Sequence, residues 1–364
     1  MRHVLLILVV SGVLFMAGCQ EENTSAKIRP MADTVGFAQH GWQVDSVMNR
    51  IKNMYGNRIS DIFLNRDIGD QTTWKAVICP HDDFSYAGYL YPAALSHIKT
   101  PTVILFGVAH KARTLGLENR LIFDSFSAWH GPYGNIFVSS FRDSIIRALP
   151  TETYIVHDEM QRLEHSVEAM LPFLQYYNRN VEIISILVPA MPFDRMQEIS
   201  GLLSDAIAGA AEKRGWHWGE DYAFIISSDA VHYGDEDWGG KNYAPYGADS
   251  AGYDKAVSHE MEIVNTCLTG DMNEEKVRQL TTYLVQDENF REYKWSWCGR
   301  YSIPLGLLTT IQMGKRNGEI SEGVFLGFGS SIDHLPIPVQ DLKMGVTAPA
   351  NIRHWVGYAA IGYQ

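Results

Sequence analysis

Cysteine is scarce in this chain, with only four in 364 residues. Small exported domains that lack a large core depend on many paired cysteines, so this sequence does not predict a disulfide scaffold. Cys79 lies in a strand-like apolar run and Cys267 in an apolar helical stretch, where each is expected to pack in the core. Cys298 lies outside any such pattern, which singles it out for chemistry.

Positive charge is also in short supply. The formal net charge is −12, with acidic and basic residues interspersed, whereas nucleic-acid binding requires basic patches. The sequence has no Walker loop, no Gly-x-Gly-x-x-Gly after a strand, and no nucleophile elbow. Nucleic acid and nucleotide cofactors are therefore not expected as partners.

The apolar run at the N-terminus is too short for a comfortable membrane span. It covers residues 4–16 between a basic start and Ala17-Gly18-Cys19, which is the pattern of a secretory signal. Residues 15–19 resemble the lipobox of bacterial lipoproteins, in which the cysteine becomes the lipidated N-terminus. We therefore expect residues 1–18 to be a signal peptide and Cys19 to anchor the protein in a membrane of the bacterial cell envelope. An ordinary secretory signal, with Cys19 incidental, is the alternative.

The rest of the chain is expected to form a tether followed by one domain. Residues 19–40 are polar and lack periodicity, as in a flexible linker. Residues 41–364 alternate between strand-like and helical patterns without a clean internal boundary. One α/β domain is therefore predicted.

The fold class follows from the periodicity of that region. Continuous apolar runs predict strands near residues 75–80, 102–107, 119–124, 181–188, 222–228 and 322–328. Apolar residues at helical spacing predict helices over residues 164–174 and 196–213. Strands that alternate with helices predict a mostly parallel sheet with helices on both faces.

Three of the predicted strands end in a histidine: His81, His110 and His232. In an open α/β sheet, ligands bind in the crevice beyond the carboxyl ends of the strands, so these imidazoles are expected to share one crevice. Asp229, three residues before His232, adds a carboxylate to that crevice. Since the chain has 13 histidines, any one of these three taken alone is better explained as a hydrogen-bonded structural residue than as a ligand.

Six segments resemble, in the same order, the motifs of the Memo family, also called AmmeMemoRadiSam system protein B. The first resembles the Pro-His-Ala-Gly-Tyr motif and the fifth a Cys-Gly-Arg motif. The segments are residues 80–89, 106–110, 158–173, 227–234, 298–303 and 356–360. The family is related in fold to the class III extradiol dioxygenases, which hold non-haem iron by two histidines and a carboxylate. The resemblance therefore implies an extradiol-dioxygenase-like single domain.

The resemblance also implies roles for individual residues. His81 and His110 match the metal histidines, Cys298 takes the position of the carboxylate ligand, and His232 matches the catalytic histidine of the dioxygenases. Two imidazoles and one thiolate suit iron or copper, with zinc also possible. Three protein ligands leave a coordination position open for reaction.

Other residues near these motifs carry two interpretations each. Glu164 and His165 are predicted to open a helix, where they either line the crevice and bind substrate or simply cap the helix. Asp229 either supports catalysis beside an imidazole, or ligates iron, or caps the next helix. Arg300 either grips an anionic substrate or forms a buried structural ion pair.

The function predicted from these features is that of a lipid-anchored, Memo-like metalloprotein with a redox or oxygen-related activity on a small substrate. One alternative is zinc-dependent hydrolysis or lyase chemistry with His232 as the acid–base group. Another is a surface-anchored binding protein without catalysis, because Asp82, Asp83 and Tyr301 depart from the family motifs.

Overall fold

The computed structural model describes residues 26–364. The signal peptide and Cys19 of the sequence-based interpretation lie outside the described residues. Among residues 26–364, no helix is both long and apolar enough to cross a bilayer.

The described chain forms alternating strands and helices. The strands are β1 (Ile28–Arg29), β2 (Ala76–Cys79), β3 (Thr102–Val108), β4 (Leu121–Phe123), β5 (Ala128–Trp129), β6 (Ile136–Phe137), β7 (Tyr154–Val156), β8 (Glu182–Val188), β9 (Tyr222–Ser227), β10 (His232–Gly234), β11 (Gly270–Asp271), β12 (Glu322–Ser330) and β13 (His354–Tyr363). The helices are α1 (Gly41–Asn65), α2 (Phe84–Ala87), α3 (Leu90–Leu95), α4 (Phe141–Ala148), α5 (Asp158–Leu163), α6 (Leu171–Tyr177), α7 (Phe193–Glu212), α8 (Ser250–Ile263), α9 (Glu274–Leu284) and α10 (Ser302–Asn317).

Most strands belong to one large sheet, which is mixed rather than mostly parallel. Its order is β11-β12-β13-β2-β9-β3-β8-β4-β7, and β10 pairs with β13. Strands β2, β9, β3 and β8 are parallel neighbours, whereas β11, β12, β13 and β10 pair antiparallel on one flank. The prediction of a mostly parallel sheet is corrected here, because a buried apolar run does not specify strand direction.

Helices cover both faces of the sheet, which confirms the predicted α/β class. Side chains alternate along each central strand, so Ala76 and Ile78 pack with α7 and α10 on one face. Val77 and Cys79 point to the other face and pack with α1, α3 and α6. Cys79 and Cys267 are both buried in these cores, as expected.

The last part of the expected tether lies against the domain. Arg29 is fully buried, forms an ion pair with Glu168, and donates from Nε to the carbonyl of Gln161 at 2.8 Å. Phe37 is also buried in the core. These contacts could not be predicted from the polar, aperiodic sequence of the segment, because they depend on Arg29 and Phe37 alone and not on a repeating pattern.

The two predicted helices have different outcomes. Helix α7 confirms the prediction for residues 196–213. The helix predicted over residues 164–174 is wrong at its start, since Glu164 has an extended backbone after α5 and a short 3-10 turn precedes α6. The apolar residues keep helical spacing across residues 164–174 because the 3-10 turn and α6 bury their side chains in the same core.

Candidate metal centre

The carboxyl ends of three neighbouring strands bring the candidate residues together. Strands β2, β9 and β3 are adjacent and parallel, so their ends lie at one edge of the sheet. His81, Asp229 and His110 each follow the end of one of these strands by two residues. His232 begins β10, and Cys298 lies just before α10 in a segment bridged to Val231 through Trp297.

His81, His110 and Cys298 form a compact group of possible metal ligands. One candidate ligand atom from each of the three residues lies within 4.8 Å of the other two. The ring centroids of His81 and His110 are 5.4 Å apart, and Nε2 of His81 is 3.5 Å from Sγ of Cys298. This group could therefore hold a metal ion.

The hydrogen bonds of His81 fix its tautomer. The Ser227 hydroxyl donates to the carbonyl of Ser166 at 2.6 Å, so its oxygen accepts from Nδ1 of His81 at 2.8 Å. Proton placement on Nδ1 leaves the Nε2 lone pair facing the thiol. Burial lowers the pKa of His81 well below its usual value, helped by the neighbouring histidines, so the ring is neutral.

Glu164 fixes His110 in the same way. Its carboxylate accepts from the main-chain N–H of His110 at 2.8 Å and from Nδ1 of the same ring at 2.9 Å. It also accepts from the main-chain N–H groups of His165 and Ser166. Burial opposes ionisation, but the His110 charge and these hydrogen bonds outweigh it and hold the pKa of Glu164 well below its usual range.

Glu164 and His165 do not open a helix as predicted, because Glu164 has an extended backbone and contacts His110. Glu164 is fully buried between the strand ends and orients His110 instead of capping a helix. His165 stacks on His110 with ring centroids 4.9 Å apart and lines the same crevice. A carboxylate can satisfy several main-chain donors only where the chain leaves helical geometry, which explains the break after α5.

Cys298 lies buried behind the two histidines. The main-chain N–H of Asp229 points at its sulfur at 3.2 Å, and the Ser228 hydroxyl lies 3.9 Å away. Burial and the charge of Asp229 raise the pKa of the Cys298 thiol well above its usual value. Deprotonation of this thiol therefore requires a strong local positive charge such as a coordinated metal ion.

Asp229 and His232 complete the inner wall of the crevice. Asp229 accepts from the main-chain N–H of His81 at 2.8 Å, and burial together with nearby Asp82 raises its pKa well above the usual value. Burial and the charge of His110 lower the pKa of His232 to about 3. Its Nε2 is buried and has no hydrogen-bond partner among residues 26–364, so one polar atom faces the crevice unsatisfied.

Two cavities meet at His110. The first, called here the histidine cavity, has a volume of about 380 Å³ and is lined by His81, Asp82, Asp83, His165, His232 and Trp238. The second, called the arginine cavity, has a volume of about 320 Å³ and is lined by Cys298, Arg300, Tyr293 and Val108. His110 lines both cavities, whereas His81 lines the histidine cavity and Cys298 lines the arginine cavity.

Arg300 has no carboxylate partner within 4.0 Å in the part of the chain that the structure describes. Its Nη2 donates to the carbonyl of Arg291 at 3.2 Å, and its guanidinium carbon lies 3.6 Å from the centroid of the Tyr293 ring. The buried ion pair considered for this residue is therefore not formed.

Sequence analysis did not identify two residues that position the site, Ser227 and Glu260. Ser227 sets the tautomer of His81, and the motif at residues 227–234 could have identified it. Glu260 is buried in α8 and accepts from the indole N–H groups of Trp295 and Trp297 and from the Val231 main chain. It thereby joins the segments that carry His232 and Cys298, but nothing in its local sequence marks it.

The fold and the site define an α/β protein with two imidazoles and a thiol that could hold a metal ion. A family model described as Memo-like protein matches residues 47–333. The chain belongs to the Memo-like family, which confirms the resemblance stated from its motifs.

The relatives that match carry the same family name. A MEMO1 family protein of Aquifex aeolicus is 28% identical over 181 residues, which are 49% of this chain and 61% of the relative. One from Pyrococcus abyssi is 24% identical over 263 residues, covering 70% and 82%. One from Methanosarcina mazei is 27% identical over 180 residues, covering 49% and 61%. The chain thus spans less than two thirds of the Aquifex and Methanosarcina proteins.

Proposed function

We propose that the protein is a metalloprotein in which His81, His110 and Cys298 hold one transition metal ion. The observation that carries this proposal is the hydrogen bonding of the two imidazoles. Ser227 and Glu164 each accept from Nδ1 of one ring, so Nε2 of both rings is left as the free ligand atom. Hydrogen bonding of this kind is typical of histidines that ligate metals.

The donor set favours iron or copper, with zinc as the third candidate. Two imidazoles and one thiolate are softer than the all-oxygen sets of magnesium and calcium. When bound, such an ion supplies an open coordination position with redox or Lewis-acid chemistry. We therefore propose a redox or oxygen-related activity on a small substrate.

The protein residues around the crevice have separate roles in this proposal. His232, with its unsatisfied Nε2, is positioned to exchange a proton with a bound substrate. Asp229 supports it as a second proton-holding group. A relation to the extradiol dioxygenase fold is consistent with the parallel strands β2, β9, β3 and β8, but the thiol of Cys298 replaces a carboxylate there. Ring cleavage is therefore not part of the proposal.

Metal binding by the full-length chain tests the proposal. We expect the purified protein to contain about one iron or copper ion per chain by elemental analysis. His81→Ala and Cys298→Ser should each lower the metal affinity more than 100-fold, since loss of a ligand exceeds the 10–100-fold typical of residues behind the ligands. Cys267→Ser is the matched control and should bind metal like the wild type, because this cysteine is buried in the core.

Three outcomes would change the proposal. Stoichiometric zinc would favour hydrolytic or lyase chemistry, because zinc has no redox chemistry. Equal affinity of wild type and Cys298→Ser would remove the thiol from the ligand set. No bound metal, with thermal stability unchanged by chelators, would favour the binding protein without catalysis.

We also propose that Cys19 carries lipid and holds the protein at a membrane of the bacterial cell envelope. The motif at residues 15–19 supports this proposal. Mass spectrometry of the membrane fraction should find a mature chain that begins at a lipid-modified Cys19. Cys19→Ser should move the protein to the soluble fraction, and its continued partition with membranes would contradict the proposal.

A further inference from the structure

Arg300 presents an uncompensated charge to the arginine cavity. Its Nη2 donates to the carbonyl of Arg291, and its guanidinium lies over the rings of Tyr293 and Tyr301. Its Nε is buried and has no partner among residues 26–364. Arginine stays protonated in proteins, and the half-buried guanidinium of Arg300 loses hydration that no carboxylate within residues 26–364 replaces. Arg300 therefore has hydrogen-bond donors left for an anion in this cavity.

The remaining charges of this cavity do not supply that anion. Three arginines and one glutamate line the cavity. The glutamate, Glu118, is paired with Arg291 at 2.7 Å. The third arginine, Arg113, is 82% exposed and lies 3.6 Å from Glu292 at the rim. The cavity therefore carries net positive charge, concentrated at Arg300.

The charged group lies close to the possible metal ligands. His110 and Cys298 line the same cavity as Arg300. Arg300 follows Cys298 by two residues, so their Cα atoms are at most about 7 Å apart. A small molecule could therefore contact Arg300 at one end and the His110–Cys298 wall at the other.

We propose that the arginine cavity binds the carboxylate group of a small substrate through Arg300. A monoanion balances the one guanidinium that lacks a partner, whereas a phosphate dianion is usually held by several cationic or main-chain donors. The ring of Tyr293 and the side chains of Val108 and Val188 favour an apolar or aromatic body for the same molecule. The proposal adds a substrate class to the metal centre and rests on it only for where the reacting end lies.

Binding of benzoate to the chelator-treated full-length chain tests the proposal. Removing metal first prevents direct ligation of the carboxylate, so only protein contacts are measured. In ligand-observed NMR titrations, the wild type should bind benzoate at least tenfold more tightly than the neutral, isosteric benzamide. It should also bind benzoate more tightly than inorganic phosphate.

Variants at two arginines of the cavity complete the design. Arg300→Gln should weaken benzoate binding at least tenfold, and Arg300→Lys, which keeps the charge, should lose less. Arg113→Gln is the matched control, because its exposed and screened charge should change the affinity less than threefold. Thermal unfolding checks that each variant is folded.

The outcomes separate this proposal from the metal centre. Equal binding of benzoate and benzamide by the wild type overturns it without any variant, and so does an unchanged affinity in Arg300→Gln. Tighter binding of phosphate overturns the carboxylate assignment. None of these results depends on bound metal. Failure of the metal-centre proposal would be seen only in the metal-binding experiments.

Discussion

Two buried carboxylates each accept a hydrogen bond from the main chain of a candidate metal-binding histidine, yet their pKa values are shifted in opposite directions. Glu164 accepts from the main-chain N–H of His110, and Asp229 accepts from that of His81. Glu164 is surrounded by N–H donors and an imidazole, which hold its pKa low against burial. Asp229 is buried near the carboxyl groups of Asp82 and Asp83, which raise its pKa further.

The difference lies in what surrounds each carboxylate. Glu164 remains an anion, so it can fix the His110 ring and offset positive charge in the crevice. Asp229 favours its protonated form, so it can hold a proton beside His232 without a full buried charge. Pairs of acids whose environments separate their pKa values are typical of sites that move protons.

Among substitutions compared at one pH, the largest effect on stability is expected from Glu164→Gln. The amide cannot accept all four N–H groups that the carboxylate accepts, so the unfolding free energy should fall by at least about 2 kcal/mol. Metal affinity should fall 10–100-fold, because the His110 ring loses its orientation. Urea unfolding and metal titration measure the two effects. Glu159→Gln, at an exposed position of α5, is the control and should change stability by less than about 0.5 kcal/mol.

Glu260 provides the next effect, in the dependence of stability on pH. Burial raises its pKa to about 7 despite hydrogen bonds from Trp295 and Trp297. Below pH 4.5 the carboxyl is protonated in both states and its contribution is complete. As the pH rises to about 7 the unfolded chain releases its proton first, so stability is lost.

This loss should amount to about 3 kcal/mol between pH 4.5 and pH 8. Urea unfolding across that range should show a flatter profile for Glu260→Gln than for the wild type, whatever the stability of the variant at one pH. Parallel profiles would mean that burial does not raise the pKa of Glu260 above its value in the unfolded chain.

The smallest effect is expected from Asp229→Asn. Asparagine has nearly the shape of a protonated aspartate, which is the form that this environment favours. The unfolding free energy at pH 7 should therefore change by less than about 1 kcal/mol in urea unfolding of the chelator-treated protein. A loss greater than that of Glu164→Gln would reverse the comparison between the two carboxylates.

Strand ends were the most informative part of the sequence. The apolar runs before His81, His110 and Asp229 predicted buried strands, and the structure brings these residues to one edge of a sheet. Cys298 could not be found in this way, because it follows an irregular segment and not a strand. Two signals identified it: the motif resemblance and its position outside the apolar strand and helix patterns.

Features that depend on contacts distant in sequence could not be predicted. The antiparallel flank arises because the C-terminal strand β13 inserts between β12 and β2, and periodicity does not encode strand order. Glu164 leaves the helical path to collect N–H donors from two segments. Glu260 is one carboxylate in an ordinary amphipathic helix, and its burial depends on tryptophans about 35 positions away in the chain.

If Cys19 carries the proposed lipid, the buried Arg29 limits how far the domain can stand from the membrane. Arg29 attaches the incoming chain to the domain at Gln161 and Glu168, so a lipid on Cys19 would be followed by only residues 20–27 before the folded surface. Eight residues reach at most about 30 Å, whereas a domain of this size has a radius of gyration of about 20 Å. The tether would then be shorter than the domain is wide. The crevice could therefore bind only molecules that come close to the membrane surface.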